Sequence, residues 1–456
     1  MTGAGARPRA ARARGAALPL LALALVVAPG ARAEWLQPDP SYKDAQFALR
    51  EALHDTLGQS NLPARLDSLA VAHLRLGHFA DARKLFERVL ATSPADGAAR
   101  AGMGKLALFA DRPADAESLL AGFIDADEHA PEDLLDARLR LGRYNEAAAL
   151  ADSLEMTGRV EMIRRLAAGD MWKISGDKEA RVVLTRLLPV PLLRVKLNGE
   201  SVLMALDPGA GDLLVDDFQG RQSKVELLTS ETAVPWSGQR VTVRNAVVRK
   251  LEIGGVRIEN VPAGVVSMRK WGLAVNPDRE RVAGVIGINV LRRFSTVVDL
   301  RDGRLELRPA DAAADVVPGS KKVQFEMWGE NEMMVYGTVG GGRRMAMQVG
   351  MGIPGAGVGA PSEVFEELGI KPGAIARLMK GAGGPLNGAD WTPCGVPGVI
   401  VGPVARGRLS GAWDAMDSGE MWRHGVRRDA VLSSEFFKGL RTTIDWKNRQ
   451  LLFEGE

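Results

Sequence analysis

Apolar positions along the chain change their period once, near residue 180. From about residue 40 to 175 they recur three and four apart, as in Leu66, Leu69, Ala70, Ala82, Phe86 and Leu90. That spacing predicts amphipathic helices. From about Val182 onward β-branched runs separated by glycine turns take over, the pattern of strands. Leu192 to Leu197, Asn198-Gly199, and Val202 to Leu206 read as a hairpin, since Asn-Gly supplies the positive φ angles of its tight turn. A second hairpin is expected to turn at Gly254-Gly255, within Lys250 to Val261. Residues 310–321 break the composition with alanine, proline and glycine and are expected to be a linker.

Beyond that break the strand plan returns. Gly342 precedes Gly350 by eight residues, as Gly199 precedes Asp207. Asp207 to Asp299 spans 92 residues and Gly350 to Asp445 spans 95. The closing run from Thr442, TTIDWKNRQLLF, parallels the run from Thr296, TVVDLRDGRLEL. The strand half is therefore an internal duplication: one unit over 180–309 and a second over 322–456, in which Val349 to Ile353 aligns with Leu206 to Ala210.

The front of the chain changes the charge picture. Arg7, Arg9, Arg12 and Arg14 precede an apolar run from Ala16 to Val27, and Ala31-Arg32-Ala33 offers a small-residue cleavage site before Glu34. This order predicts a secretory signal over 1–33 and a periplasmic or extracellular protein. An apolar run of about twelve residues is short of the ~20 a bilayer needs, and no later stretch is expected to span one. The chain carries 59 Lys+Arg against 56 Asp+Glu, and loss of the five leader arginines leaves 54 against 56. No basic footprint for nucleic acid remains. One cysteine, Cys394, excludes an internal disulfide. Five scattered histidines without metal-ligand spacing point to no metal site, and no cofactor is expected. The cluster Gly355 to Gly359 lacks the spacing and lysine of a phosphate loop, and no G-x-S-x-G marks a serine nucleophile.

Two resemblances follow from these residues. Leu66, Ala70, Gly77, Phe79, Ala82, Phe86 and Pro94, with a partial return 34 residues on at Gly104, Ala116 and Leu120, resemble tetratricopeptide repeats. A plain helical bundle would share the periodicity without the return. The resemblance implies an all-α domain over 40–175 that holds a peptide or assembles with a protein partner. The hairpin leading to Asp207-Pro208-Gly209-Ala210, with Gly284-Val285-Ile286-Gly287 and Leu291 to Phe294 downstream, resembles the retropepsin-like aspartic peptidases. It implies a mainly-β, bilobal acid-protease-like half, aspartic-type endopeptidase chemistry on a peptide substrate, and a flap near Trp236, Ser237 and Gly238. Gly381 to Gly388 is the matching candidate flap of the second unit.

Such enzymes activate water between two carboxylates that share one proton, one from each lobe. Here Asp207 is the candidate catalytic carboxylate, while Gly350 stands at the second position without a side chain. The family's motif reads D-T-G-[AS], and its threonine locks the two loops together. Pro208 and Met351, in the loops completed by Gly209, Ala210 and Gly352, have no hydroxyl for that lock. An unpartnered Asp207 is expected to titrate near the ordinary carboxylate value. Two ways to a second carboxylate remain: pairing of two chains through their first lobes, or Asp212, which is expected to face solvent. The alternative to hydrolysis is a non-catalytic module that binds peptide in the inter-lobe cleft.

Overall fold

The computed structural model describes residues 46–47, 49–51, 63–236, 239–276, 280–314, 316–374, 376, 391–416 and 418–455. The expected leader and the candidate second flap at Gly381 to Gly388 lie outside them. Over the described residues 63–167 the chain forms seven helices: α1 (Pro63–Arg75), α2 (Phe79–Thr92), α3 (Gly97–Phe109), α4 (Pro113–Leu120), α5 (Ala130–Arg140), α6 (Tyr144–Ser153) and α7 (Thr157–Ala167). Missing side chains let neighbouring helices approach: a Cβ on Gly102 would lie 2.2 Å from the Phe86 ring, and one on Gly104 would lie 2.7 Å from Leu120. Asp96 caps α3 by accepting from the Ala99 N–H at 3.0 Å.

The strands of the first lobe are β1 (Lys173–Gly176), β2 (Ala180–Arg186), β3 (Leu192–Leu197), β4 (Glu200–Leu206), β5 (Leu213–Asp216), β6 (Glu226–Trp236), β7 (Gln239–Ile253), β8 (Val256–Val266), β9 (Val282–Ile286), β10 (Phe294–Asp299) and β11 (Arg304–Pro309). Three short helices interrupt them: α8 (Asp217–Gln222), α9 (Arg269–Val275) and α10 (Ile288–Leu291). The second lobe holds β12 (Lys321–Gln324), β13 (Glu326–Trp328), β14 (Glu332–Val339), β15 (Met345–Val349), β16 (Val358–Ala360), β17 (Thr392–Val396), β18 (Val399–Val401), β19 (Val404–Arg406), β20 (Leu409–Trp413), β21 (Ala430–Leu432), β22 (Arg441–Asp445) and β23 (Gln450–Glu454). Its short helices are α11 (Ser362–Glu367) and α12 (Ser434–Phe437).

The duplication is visible in the order of pairing. In the first lobe β3–β4 is antiparallel, β4–β9 parallel, β9–β5 antiparallel, β5–β8 parallel and β8–β7 antiparallel. The second lobe repeats that order through β14–β15, β15–β21, β21–β16, β16–β20 and β20–β17. A six-stranded stretch, β2-β11-β10-β22-β23-β12, joins the lobes, and its middle pair aligns Val297 with Thr443 and Val298 with Thr442.

The helical half packs on the second lobe. Trp328 stacks on Phe109 at 5.0 Å between ring centres, with Phe79 edge-on to it and to Tyr336. Arg140, buried beside Asp136 and Asp111, donates to the carbonyls of Leu108 and Gly329. Arg159 in α7 pairs with Glu330 at 2.5 Å, and the Arg427 N–H bonds the Arg75 carbonyl at the end of α1. The turn between β13 and β14 thus sits among α3, α5 and α7, so this part of the helical surface is filled by the chain itself.

Candidate functional site

Asp207 leaves the end of β4, with its N–H on the Ile286 carbonyl of β9 at 3.1 Å. The Asp-Pro-Gly turn closes through the Ala210 N–H on the Asp207 carbonyl, and Pro208 is buried within it. Asp207 Oδ1 accepts from the Gly209 N–H at 2.8 Å and from the Met351 N–H of the other lobe at 2.6 Å. The Gly352 N–H also bonds the carboxylate.

The second loop presses close. A Cβ on Gly352 would lie 2.0 Å from Asp207 Oδ2, and one on Gly350 would lie 3.4 Å from Oδ1. A Cβ on Gly209 would come within 2.8 Å of the Gly350 Cα. Backbone and N–H groups therefore stand against the carboxylate where a facing side chain and its water need room. Among the described residues no second carboxylate bears on Asp207.

Burial nevertheless raises the Asp207 pKa above the ordinary carboxylate value, against the three N–H groups, which pull it down. The sequence led to an ordinary value because it weighed only the missing charge and not the packed loops. A cross-lobe lock is also present in another form. Gln348 Nε2 donates to the Gly209 carbonyl at 3.1 Å, and Arg428 holds the Gln348 Oε1 at 2.8 Å while pairing with Glu332. Gln348 precedes Gly350 by two residues and so reaches across from the strand itself. Absence of the threonine hydroxyls in the sequence pointed to loss of the lock; a longer amide side chain supplies one.

Asp212 keeps a solvent-exposed face, as expected, yet accepts from Asn289 Nδ2 at 3.1 Å. Crowding by the surrounding protein, then the Glu330 charge, pushes its pKa up to about 6. Trp236 is the last residue of β6 and pairs with Gln239, so β6 and β7 form a hairpin whose tip residues Ser237 and Gly238 lie outside the described residues. The hairpin is clamped by α7. Glu161 Oε2 accepts from the Thr229 N–H at 2.9 Å, the Thr229 hydroxyl at 3.0 Å and the Ser230 N–H at 3.0 Å. Asn245 Nδ2 donates to the Gly158 carbonyl.

The amides of the Gly355 to Gly359 loop serve the fold: Gly355 bonds Pro189 and Gly357 bonds Ser410. Cys394 is buried, which pushes its thiol up to about 11. Among the described residues no three His, Cys, Asp or Glu side chains cluster as metal ligands, and no helix is long and apolar enough to cross a membrane.

Family comparison agrees with this layout. The tetratricopeptide repeat family matches residues 73–132, and the aspartyl protease family matches residues 193–290. The chain joins a tetratricopeptide repeat region to an aspartyl protease-like domain. Among solved structures it is similar to a retropepsin-like aspartic protease from Rickettsia conorii, 15% identical over 30% of this chain and 92% of that one, with a TM-score of 0.21. No curated protein matches the chain. The aspartyl protease match covers Asp207 and ends at Val290, before the second lobe begins.

Three contributors escaped the sequence reading: Gln348, Glu161 and Trp271, whose Nε1 donates to the Gly352 carbonyl at 3.0 Å. None sits in a motif. Only Gln348 left a signal, as a polar residue between Met347 and Val349 in an otherwise apolar strand.

Proposed function

We propose that this is an exported protein whose aspartyl protease-like half has lost dyad hydrolysis and serves as a peptide- or protein-binding module. The observation that carries the reading is the seating of the Met351 N–H and the Gly352 backbone against the Asp207 carboxylate. General base catalysis on water needs a second group to polarise the scissile carbonyl. Here the space for it is taken by peptide backbone, and Asp207 acts as an acceptor that ties the loops together.

Hydrolysis by two first lobes from separate chains is the competing reading. It needs β10 free to pair with its copy, and β10 is already paired with β22 of the same chain. A binding role suits both halves, since extended peptides add to sheets by backbone hydrogen bonds with side-chain pockets giving selectivity.

Incubation of the chain with a mixed peptide library from about pH 3 to 7, beside Asp207→Asn and Gly350→Asp, tests the reading. No cleavage by any of the three, with peptides retained by the folded wild type, is the expected result. Acid-optimal cleavage by the wild type that Asp207→Asn abolishes would overturn it. Export is tested separately: a periplasmic or secreted product whose first residue is Glu34 is expected, and a product retained in the cytoplasm with residues 1–33 intact would reject it.

A further inference from the structure

The turn from α1 to α2 closes through two bonds. The Gly77 N–H reaches the Leu74 carbonyl at 2.9 Å, and the His78 N–H reaches the His73 carbonyl at 2.8 Å. Gly77 takes the left-handed conformation that this closure needs, with φ at 78°. The side chains at its two ends meet across the turn, and an apolar pair is their usual occupant. Here they are His73 and His78, whose Nδ1 atoms lie 3.2 Å apart. His78 starts α2 without capping it through its side chain; the ring turns back to His73 instead. His78 is exposed and His73 half-buried.

The same closure recurs between α5 and α6. There the Arg143 N–H bonds the Arg138 carbonyl at 2.9 Å, and Gly142 has φ at 70°. The two equivalent side chains converge on one group: Arg138 and Arg143 both pair with Glu117, at 3.5 and 2.7 Å. This turn therefore brings its flanking side chains onto a single partner. Two guanidinium groups use it to hold an anion; two imidazoles suit a cation.

We infer that His73 and His78 form a two-point site for a divalent transition cation of the zinc, nickel or copper class, with water in its remaining coordination positions. Imidazole nitrogen is a ligand that suits these ions. Two nitrogens on one zinc, at about 2.0–2.1 Å and a tetrahedral angle, stand about 3.3–3.4 Å apart. The 3.2 Å between the Nδ1 atoms is close to that separation, so only a small tilt of the rings is required. With both rings neutral, one Nδ1 carries the proton and the other accepts it. On metal binding both lone pairs are used, and the former donor ring carries its proton on Nε2, with none lost overall. Burial, then the His78 charge, holds the His73 pKa below the ordinary histidine value and favours the neutral, ligating form, while Asp81 of α2 supplies a negative charge nearby. Five positions separate the pair along the chain, which is not the spacing of a familiar metal motif; the left-handed Gly77 brings them together.

Zinc chloride and, separately, magnesium chloride titrated into the full chain at about pH 7.5, followed by calorimetry, test the site. Saturable zinc binding is expected, and none of magnesium, which prefers oxygen ligands. His73→Ala and His78→Leu should each weaken zinc at least about tenfold, because even the outer partners of metal ligands are worth about 10–100-fold. Zinc affinity should also fall at about pH 5.5, where protons compete for the imidazoles. A wild type that binds no zinc overturns the proposal. So does zinc bound equally by wild type and the double variant, since the ion is then held elsewhere. His78→Leu restores the usual apolar contact of the turn, and it carries the test by itself should His73→Ala fail to fold.

Discussion

Val297 and Thr443 lie opposite each other at the seam between the lobes, and each is the other's counterpart in the duplicated sequence. The approximate two-fold axis relating the lobes therefore passes between these two residues. Both are fully buried.

Val298→Asp, the next residue of the same strand, places a carboxylate in the main apolar core of the lobes, opposite Leu305 and Thr442. A buried charge without a partner destabilises by about 3–5 kcal/mol. Urea unfolding followed by circular dichroism should show a midpoint well below wild type. A surface change such as Arg181→Ala, which removes an exposed pair with Glu306, should shift it little.

Gly352→Ala drives a Cβ to 2.0 Å from Asp207 Oδ2. The loops must part, at about 1–3 kcal/mol as for other overpacked sites. Asp207→Ala removes the obstructing carboxylate, so the cost of Gly352→Ala should shrink in that background. A double-mutant cycle by thermal or urea unfolding measures the coupling, and additive effects would deny the close approach.

Asp212 binds its proton more tightly in the folded chain, where its pKa is about 6, than at the ordinary value of 3.8. A carboxyl raised in this way stabilises the fold below about pH 4, and that contribution is lost as the pH rises through about 6. Asp212→Asn cannot titrate. The stability of wild type relative to the variant should therefore be greatest in acid and decline to a plateau near neutrality. Urea midpoints measured at closely spaced pH values check the sign.

Glu161 gathers three donors of the β6–β7 hairpin onto one oxygen. Glu161→Ala leaves those groups to water, and hydrogen exchange in the 226–236 segment should quicken by about tenfold, as loss of hydrogen bonds to a charged acceptor implies. Glu161→Gln retains an acceptor oxygen and should fall between the two. Exchange in β10 and β22 is the internal reference and should not move.

The sequence carried the change from helices to strands because periodicity reports burial of one face, and Ala82, Phe86 and Val89 do line one side of α2. Asp207 and Gly350 were legible as facing loops because the duplication set them at matching distances from Gly199 and Gly342. What surrounds Asp207 was not legible. Met351 contributes its backbone N–H, a group that every residue but proline has, so its identity says nothing of the bond. Trp271 reads as one more apolar position in the β8–β9 connection, and only the fold brings it to Gly352, 81 positions later. Glu161 reads as a polar helix residue, and its partners lie 68 and 69 residues downstream.

The turn that fills the helical surface also sets an order of events during synthesis. Arg140 waits for the Gly329 carbonyl, 189 residues further along the chain. At about 5–20 residues per second, roughly 10–40 s separate the emergence of the two. Through that interval Phe79 and Phe109 are made but Trp328 and Tyr336 are not, so their shared apolar surface faces the surrounding medium. The apolar surface of the nascent helical half is thus sealed only when the second lobe arrives.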